Sequence, residues 1–488
     1  MSLATLRNLG TVQMAFSGAP LVLDKATWDN PAGSTWSLES GVVQVLGTGS
    51  TLLSGGTILS PVSAGTISLG LALNNTGTVS LFGGDVLWYG VVESRLGTWS
   101  LHNAATLSLV GGGTIYTGAL LVPSVNATLA VGAGDLCEPP PLATSVPPLP
   151  LFSTLESVLV NCTGSFVASK VNLVVLGPFV STRSTTVDGA RLSFGDEQEG
   201  SAEGSSLIVM SGAVEVRSGV LRVSNSASVT GDLTIGSESE TRGRDLIALL
   251  EFSAESRMES FGPNVAVLRG GVLNINSDFS GDGAQLEELR VGGSLNYNGA
   301  RDMVVRNLGM VGGLLSSSAS VVVLDLFSWE SGTILGREPM VSANRTLISS
   351  DGNKLLDGRP LILRGPSLWN TTSLLSLNNG GRIVVEQDGI LELVDGSIVP
   401  QAADSGAQLV NRGTVLVNAP SPAHFFHIDV DVVNSEGGHI HFLVGGMQFS
   451  SLGQFNNSGG SVLLNNQVGV SGFLLRGVLC LFPWCSPS

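Results

Sequence analysis

The chain is short of charge, lysine, aromatic side chains and cysteine, and each shortage narrows what it can be. Charged residues make up 13% of its 488 positions, about half of ordinary usage. Lysine stands at only three places, Lys25, Lys170 and Lys354. Acidic residues outnumber basic ones 39 to 23, and the formal net charge is −16. Such a surface repels polyphosphates and anionic lipids, so nucleic acid is excluded as a partner. Aromatics reach only 6%, so any large core must be aliphatic. No run of about 18 apolar residues occurs, and no transmembrane segment is expected. No signal peptide is visible, because residues 1–10 lack a charged start followed by an apolar stretch. Also missing are a Walker loop, a His-Glu-x-x-His helix, a Gly-x-Ser-x-Gly elbow and the glycine-rich calcium nonapeptide. Paired Thr-x-Thr ladders, which an ice-binding face would need, are absent as well.

What is abundant is glycine, 64 residues, about twice average usage, which demands frequent tight turns. A short phrase recurs: an Asn/Gly turn followed by alternating apolar residues. It stands at Asn8-Leu9-Gly10-Thr11-Val12, Asn75 to Val79, Asn379 to Ile383, Asn411 to Val415, Asn434 to Ile440 and Asn457 to Val462. Aligned on the first inward apolar residue, the last four copies fall at Ile383, Val415, Ile440 and Val462, with spacings of 32, 25 and 22 residues. A second phrase, Thr-Trp-Ser-Leu, occurs at Thr35–Leu38 and Thr98–Leu101, 63 residues apart, close to three such periods. A strand-sized unit repeating every 20-odd residues marks a solenoid. Each unit is too short to bury a core alone, and stacking closes it. The expected fold is therefore all-β: a single-stranded parallel β-helix with coils of about 20–25 residues, right-handed by the general preference for right-handed crossovers. The recurrent Asn is assigned a structural role, as an amide ladder from coil to coil.

Segments that break the texture divide the chain. Residues 1–135 read as N-terminal coils and 164–472 as the main β-helix. Between them, 136–163 is a Pro-rich, Cys-flanked loop, and 473–488 is an apolar tail that could cap the last coil. Arg244 to Phe261 has weak helical character, but strands are the preferred reading. The four cysteines form two local pairs, Cys137 with Cys162 and Cys480 with Cys485. A disulfide across the first would contribute about 3 kcal/mol if the compartment is oxidising.

The six Asn/Gly turn phrases, with Trp329-Glu330-Ser331-Gly332-Thr333-Ile334-Leu335, resemble the right-handed parallel β-helix surface proteins seen in bacterial autotransporter passengers and filamentous-haemagglutinin-like adhesins. The resemblance covers most of the chain and is one of texture. It implies an extracellular or cell-surface location, with the chain a piece of a longer exported protein. It implies a non-enzymatic adhesive or structural role, with a glycan or a protein as the extracellular ligand. Two alternatives stand beside it. One is a carbohydrate-active enzyme of the β-helix type, a polysaccharide lyase or glycoside hydrolase, which requires three or more converging carboxylates. The other is a bare fragment of a larger repeat protein.

Candidate chemistry is sparse. His424, His427, His439 and His441 fall within 18 residues. Alternation with Ile428, Val430, Ile440 and Phe442 turns His427, Asp429, Asp431, His439 and His441 outward. Imidazoles and carboxylates on neighbouring strands are the ligand types of a divalent transition metal such as zinc, and an exposed polar face is the plainer reading. Trp28, Trp36, Trp88 and Trp99 would stack on sugar rings if exposed, and fill the core if buried.

Overall fold

The computed structural model describes residues 4–15, 21–46, 50–95, 97–102, 105–109, 113–122, 128–131, 153–162, 165–169, 172–175, 178–194, 208–224, 227–237, 247–253, 256, 258–260, 262–277, 286–402, 406–421, 423–449 and 453–464. Among them the regular elements are all β-strands, with no helix. They belong to two compact units, 1–284 and 285–488. Both units are parallel β-solenoids. Three strands make one coil, and each strand pairs in parallel with its equivalent one coil away.

In the first unit, one column begins Thr5–Arg7, Thr27–Asn30, Thr51–Ser54 and Ala72–Asn75. A second passes through Thr11–Ala15, Thr35–Leu46, Thr57–Ser60, Thr78–Leu81 and Thr98–Leu101. A third passes through Thr66–Leu69, Asp85–Trp88 and Thr106–Leu109. Alternate side chains of a strand point to opposite faces, and burial follows that period: Thr27–Asn30 and Thr98–Leu101 both alternate half-exposed and buried. Trp36, Ile58, Val79 and Trp99 stack in register on the inner side, at 0–1% exposure. The two Thr-Trp-Ser-Leu phrases are three coils apart, as their spacing implies. Strands Ala248–Phe252 and Met258–Ser260 occupy the stretch with weak helical character. The described part of 136–163 is the strand Ser153–Cys162, stacked on Gly113–Val122.

In the second unit one inner stack passes through Leu289, Leu308, Phe327, Thr346, Ser367, Leu391, Val415, Ile440 and Val462. Burial of each aliphatic member contributes about 1.5–3 kcal/mol. The two polar members are satisfied locally. Thr346 Oγ1 donates to Ser342 Oγ at 2.7 Å, and Ser367 Oγ donates to the Gly365 carbonyl at 3.2 Å. This register corrects one alignment. Ile383 pairs with Leu361 and Leu409 in a different column, and the true counterpart of Val415 one coil earlier is Leu391. The outlying spacing of 32 therefore becomes 24, from 415 − 391. The Asn379-Gly380-Gly381 turn resembles the others but leads into another side of the coil.

Asparagine builds the corners. Asn411 Nδ2 donates to Asn434 Oδ1 at 2.8 Å, and Asn434 Nδ2 to Asn457 Oδ1 at 2.8 Å. In the first unit Asn8 Nδ2 donates to Asn30 Oδ1 at 2.8 Å, and Asn30 Nδ2 to Ser54 Oγ at 3.2 Å. The ladder expected from the sequence is present, with serine replacing asparagine in some coils. Each amide has a second task. Asn8, Asn75 and Asn411 accept from the backbone N–H two residues on, closing the turn. Asn8, Asn30, Asn411 and Asn434 also donate to a backbone carbonyl of the next coil. Glycine in the phrase is required by close approach: a Cβ on Gly77 would lie 2.0 Å from the Gly56 carbonyl oxygen.

Candidate functional site

The histidine-rich stretch lies outward as its alternation implies, but it does not converge. His427 is on the strand Phe425–Ile428, Asp431 on Asp431–Ser435, and His439 and His441 on His439–Val444. These strands belong to three different columns, so the coil turns the groups to three faces. Only His439 and His441 share a face, with ring centres 6.2 Å apart. His424 Nε2 lies 2.9 Å from Asp395 Oδ1, His439 Nδ1 lies 2.6 Å from Ser461 Oγ, and Asp431 accepts from the Gln454 N–H. Among the described residues no three His, Cys, Asp or Glu come together as a metal-holding group. His427, Asp431 and the pair His439 and His441 therefore stand on three separate columns: period-2 alternation orders residues within a strand, whereas the turns separate the strands.

The four N-terminal tryptophans are core residues. Trp36, Trp88 and Trp99 are 0–1% exposed and Trp28 is 9% exposed. Trp28 packs against Trp36 at 5.1 Å and Trp88 against Trp99 at 6.4 Å between ring centres. The Trp88 indole N–H donates to the Leu71 carbonyl, and that of Trp99 to Ser94 Oγ. Their ring faces are not offered to a sugar. Cys137, Cys480 and Cys485 lie outside the described residues, so neither proposed disulfide is placed. Outward on the first unit, Thr11, Thr35, Thr57, Thr78 and Thr98 line up coil by coil. This single row was invisible to a search for paired Thr-x-Thr within one strand.

Several outer-face carboxylates meet an arginine or an amide of a neighbouring coil, and two of them, Glu287 and Asp325, flank the same Arg306. Arg306 meets Glu287 at 2.7 Å and Asp325 at 3.1 Å; Arg222 meets Glu251 at 2.8 Å; Arg412 meets Glu386 at 3.5 Å. Glu392 accepts from Asn418 Nδ2 at 2.8 Å.

The structure brings forward two cations with no sequence signal. Lys354 is 1% exposed and donates to the Ser350 and Gly352 carbonyls and to Ser373 Oγ, at 2.8–3.0 Å. Burial pushes its amine down to about 8, against the opposing pull of Asp351 and Glu330. Arg359 is fully buried, and its Nη2 donates to the Ser317 and Ala319 carbonyls at 2.7 and 3.0 Å. Its Nε and Nη1 meet no acceptor, and burial lowers its guanidinium to about 10 despite Glu338.

Above Arg359 the corner opens into a groove of about 740 Å³. Its walls carry Asn298, Ser316 and Ser318 from earlier coils, Asp357 and Asn379 from later ones, and Leu335, Arg337 and Glu338 between. Two residues of its lining, Gly336 and Gly358, carry no side chain. Gly336 and Gly358 occupy equivalent places, next to the paired residues Leu335 and Asp357, and a Cβ on Gly336 would lie 2.5 Å from Arg359 Nη2. Both glycines are followed by arginine, yet Arg337 is exposed and Arg359 is buried. The corners differ in length. From Leu335 to Met340 is five residues, whereas from Asp357 to Leu361, the partner of Met340, is four. One residue fewer shifts the alternation and swings Arg359 inward.

No family model and no curated protein matches the chain. Among solved structures, the crystal structure of a TibC-catalyzed hyper-glycosylated TibA fragment is similar to it at 12% identity, over 96% of this chain and 100% of that one, with a TM-score of 0.19. No helix among the described residues is long and apolar enough to cross a membrane.

Proposed function

We propose that the chain is a non-enzymatic, extracellular solenoid serving as an adhesive or structural element of a surface, with a glycan as its ligand class. The observation that carries this reading is the use of charge on the outer faces. The acids named above are spent on pairs between neighbouring coils, and the inner side is filled by aliphatic and aromatic packing. Chemistry on a polysaccharide requires carboxylates converging on one bond, whereas the acids named above lie along separate stretches of the stack, beside an arginine or an asparagine. A stacked coil is suited instead to displaying a fixed outer surface. The Pro-rich stretch 138–151, outside the described residues, remains a contact candidate from its composition.

The test is binding and turnover measured together. The purified chain is applied to a glycan array with calcium or zinc present, and bound glycans are then assayed for new reducing ends and unsaturated products. Retention without products supports the adhesive reading. Product formation overturns it in favour of a β-helix lyase or hydrolase.

A further inference from the structure

We infer that the groove above Arg359 is a binding site for an uncharged oligosaccharide, a proposal that rests on the glycan reading above. The groove crosses five successive coils. Asn296 pairs with Ser316, Ser316 with Leu335, Leu335 with Asp357 and Asp357 with Asn378. Four steps of about 4.8 Å give a track of about 19 Å along the stack. That length suits a short chain of sugar rings better than a single ring. Its volume lies in the range of small-ligand sites.

The lining has the chemistry that reads hydroxyl groups. Asn379 Nδ2 donates to Asp357 Oδ1 at 2.6 Å, which fixes both planar groups in one orientation. The second carboxylate oxygen and the amide oxygen are left as acceptors for hydroxyls. Asn379 can take this place because its φ of 48° is a left-handed conformation that asparagine tolerates. Ser316 and Ser318 add hydroxyls that donate or accept. Leu335, 37% exposed, supplies the apolar patch on which the C–H face of a sugar ring rests. The lining carries Arg337 against Glu338 and Asp357, with the guanidinium of Arg359 buried beside Gly336 beneath it, so it holds no surplus cation. On a chain of net charge −16, such a groove selects neutral glycans, because an acidic one would meet repulsion from the surrounding surface without a surplus cation to offset it.

Arg359 is a positioning residue here. By turning inward and holding the Ser317 and Ala319 carbonyls, it ties its own coil to the one two before it.

The experiment uses tetrasaccharides of β-1,4-linked glucose, xylose, mannose and N-acetylglucosamine, with tetragalacturonate as the acidic comparison, titrated calorimetrically into the full chain. Two variants accompany it. Asp357→Ala removes the reading pair, and Ser316→Trp, at a half-exposed position, fills the track. Thermal unfolding confirms that both are folded. The expected result is binding of at least one neutral tetrasaccharide, none of the acidic one, a loss of about tenfold in Asp357→Ala from one charge-assisted hydrogen bond, and no binding in Ser316→Trp. Neutral binding that both variants retain overturns the groove while leaving the glycan reading intact. Preference for tetragalacturonate overturns the charge argument. Binding of none of the five, when a glycan array shows retention elsewhere, places the ligand site off this groove. Silence on the array as well removes the glycan reading itself.

Discussion

Replacing Asn434 by alanine should cost about 3 kcal/mol, whereas the same change at Asn457 should cost under about 1 kcal/mol. Asn434 is fully buried, accepts from Asn411 at 2.8 Å, and donates to Asn457 at 2.8 Å and to the Ser461 carbonyl at 3.3 Å. Three hydrogen bonds are lost, each worth about 1 kcal/mol net when buried. The damage stops there because Asn411 Nδ2 keeps the His439 carbonyl at 3.1 Å. Asn457 is exposed at the far end of the same ladder, so water replaces what its side chain gave. Repeat arrays need not unfold in two states, so a global melting temperature is a poor readout. Native-state hydrogen exchange over peptides spanning 408–449 reports the local opening free energy directly. Equal losses in the two variants, or a loss below about 1 kcal/mol at Asn434, would refute the view that the amide ladder holds these corners.

Three further outcomes follow from the buried cations and the histidines. Arg359→Met keeps the volume and removes a desolvated charge, so its stability should lie within about 1 kcal/mol of the parent, while Arg359→Ala leaves a cavity and should fall about 3 kcal/mol lower; urea unfolding that ranks them equal would contradict the packing role. Lys354 holds its proton less tightly folded, near 8, than unfolded, near 10.5. Between those values the unfolded chain carries the extra proton, so stability should rise as pH rises through this window. Lys354→Met should flatten that rise, and an unchanged pH profile would count against the burial effect. Because the histidines and aspartates of 427–441 sit on three faces, zinc should leave the exchange rates of that stretch unchanged; protection on adding zinc would restore the metal site.

Much of the architecture was legible because a solenoid writes its geometry locally. Strand alternation, turn chemistry and coil length all lie within about 25 residues, and they suffice to place Trp36 and Trp99 three coils apart. The inward or outward sense of His427 and Ile428, and of His439, Ile440, His441 and Phe442, was equally readable, since it depends only on neighbours in one strand. Reading failed where a decision belonged to the corners. The phrase at Asn379 resembled those at Asn411 and Asn434 but opened another column, because an Asn/Gly turn fits more than one corner of the coil. The His/Asp set looked like one cluster, because sequence distance does not count the turns that carry each strand to a new face.

What the sequence alone determined is the repeating coil: parallel strands, an aliphatic interior, and asparagine at the corners, each dictated by short-range sterics and the period-2 alternation. What only the tertiary structure decided is the outer chemistry. Gly336-Arg337 and Gly358-Arg359 are the same dipeptide one coil apart. One arginine faces solvent and the other crosses the interior, because the second corner is a residue shorter and reverses the alternation. That reversal depends on register between coils.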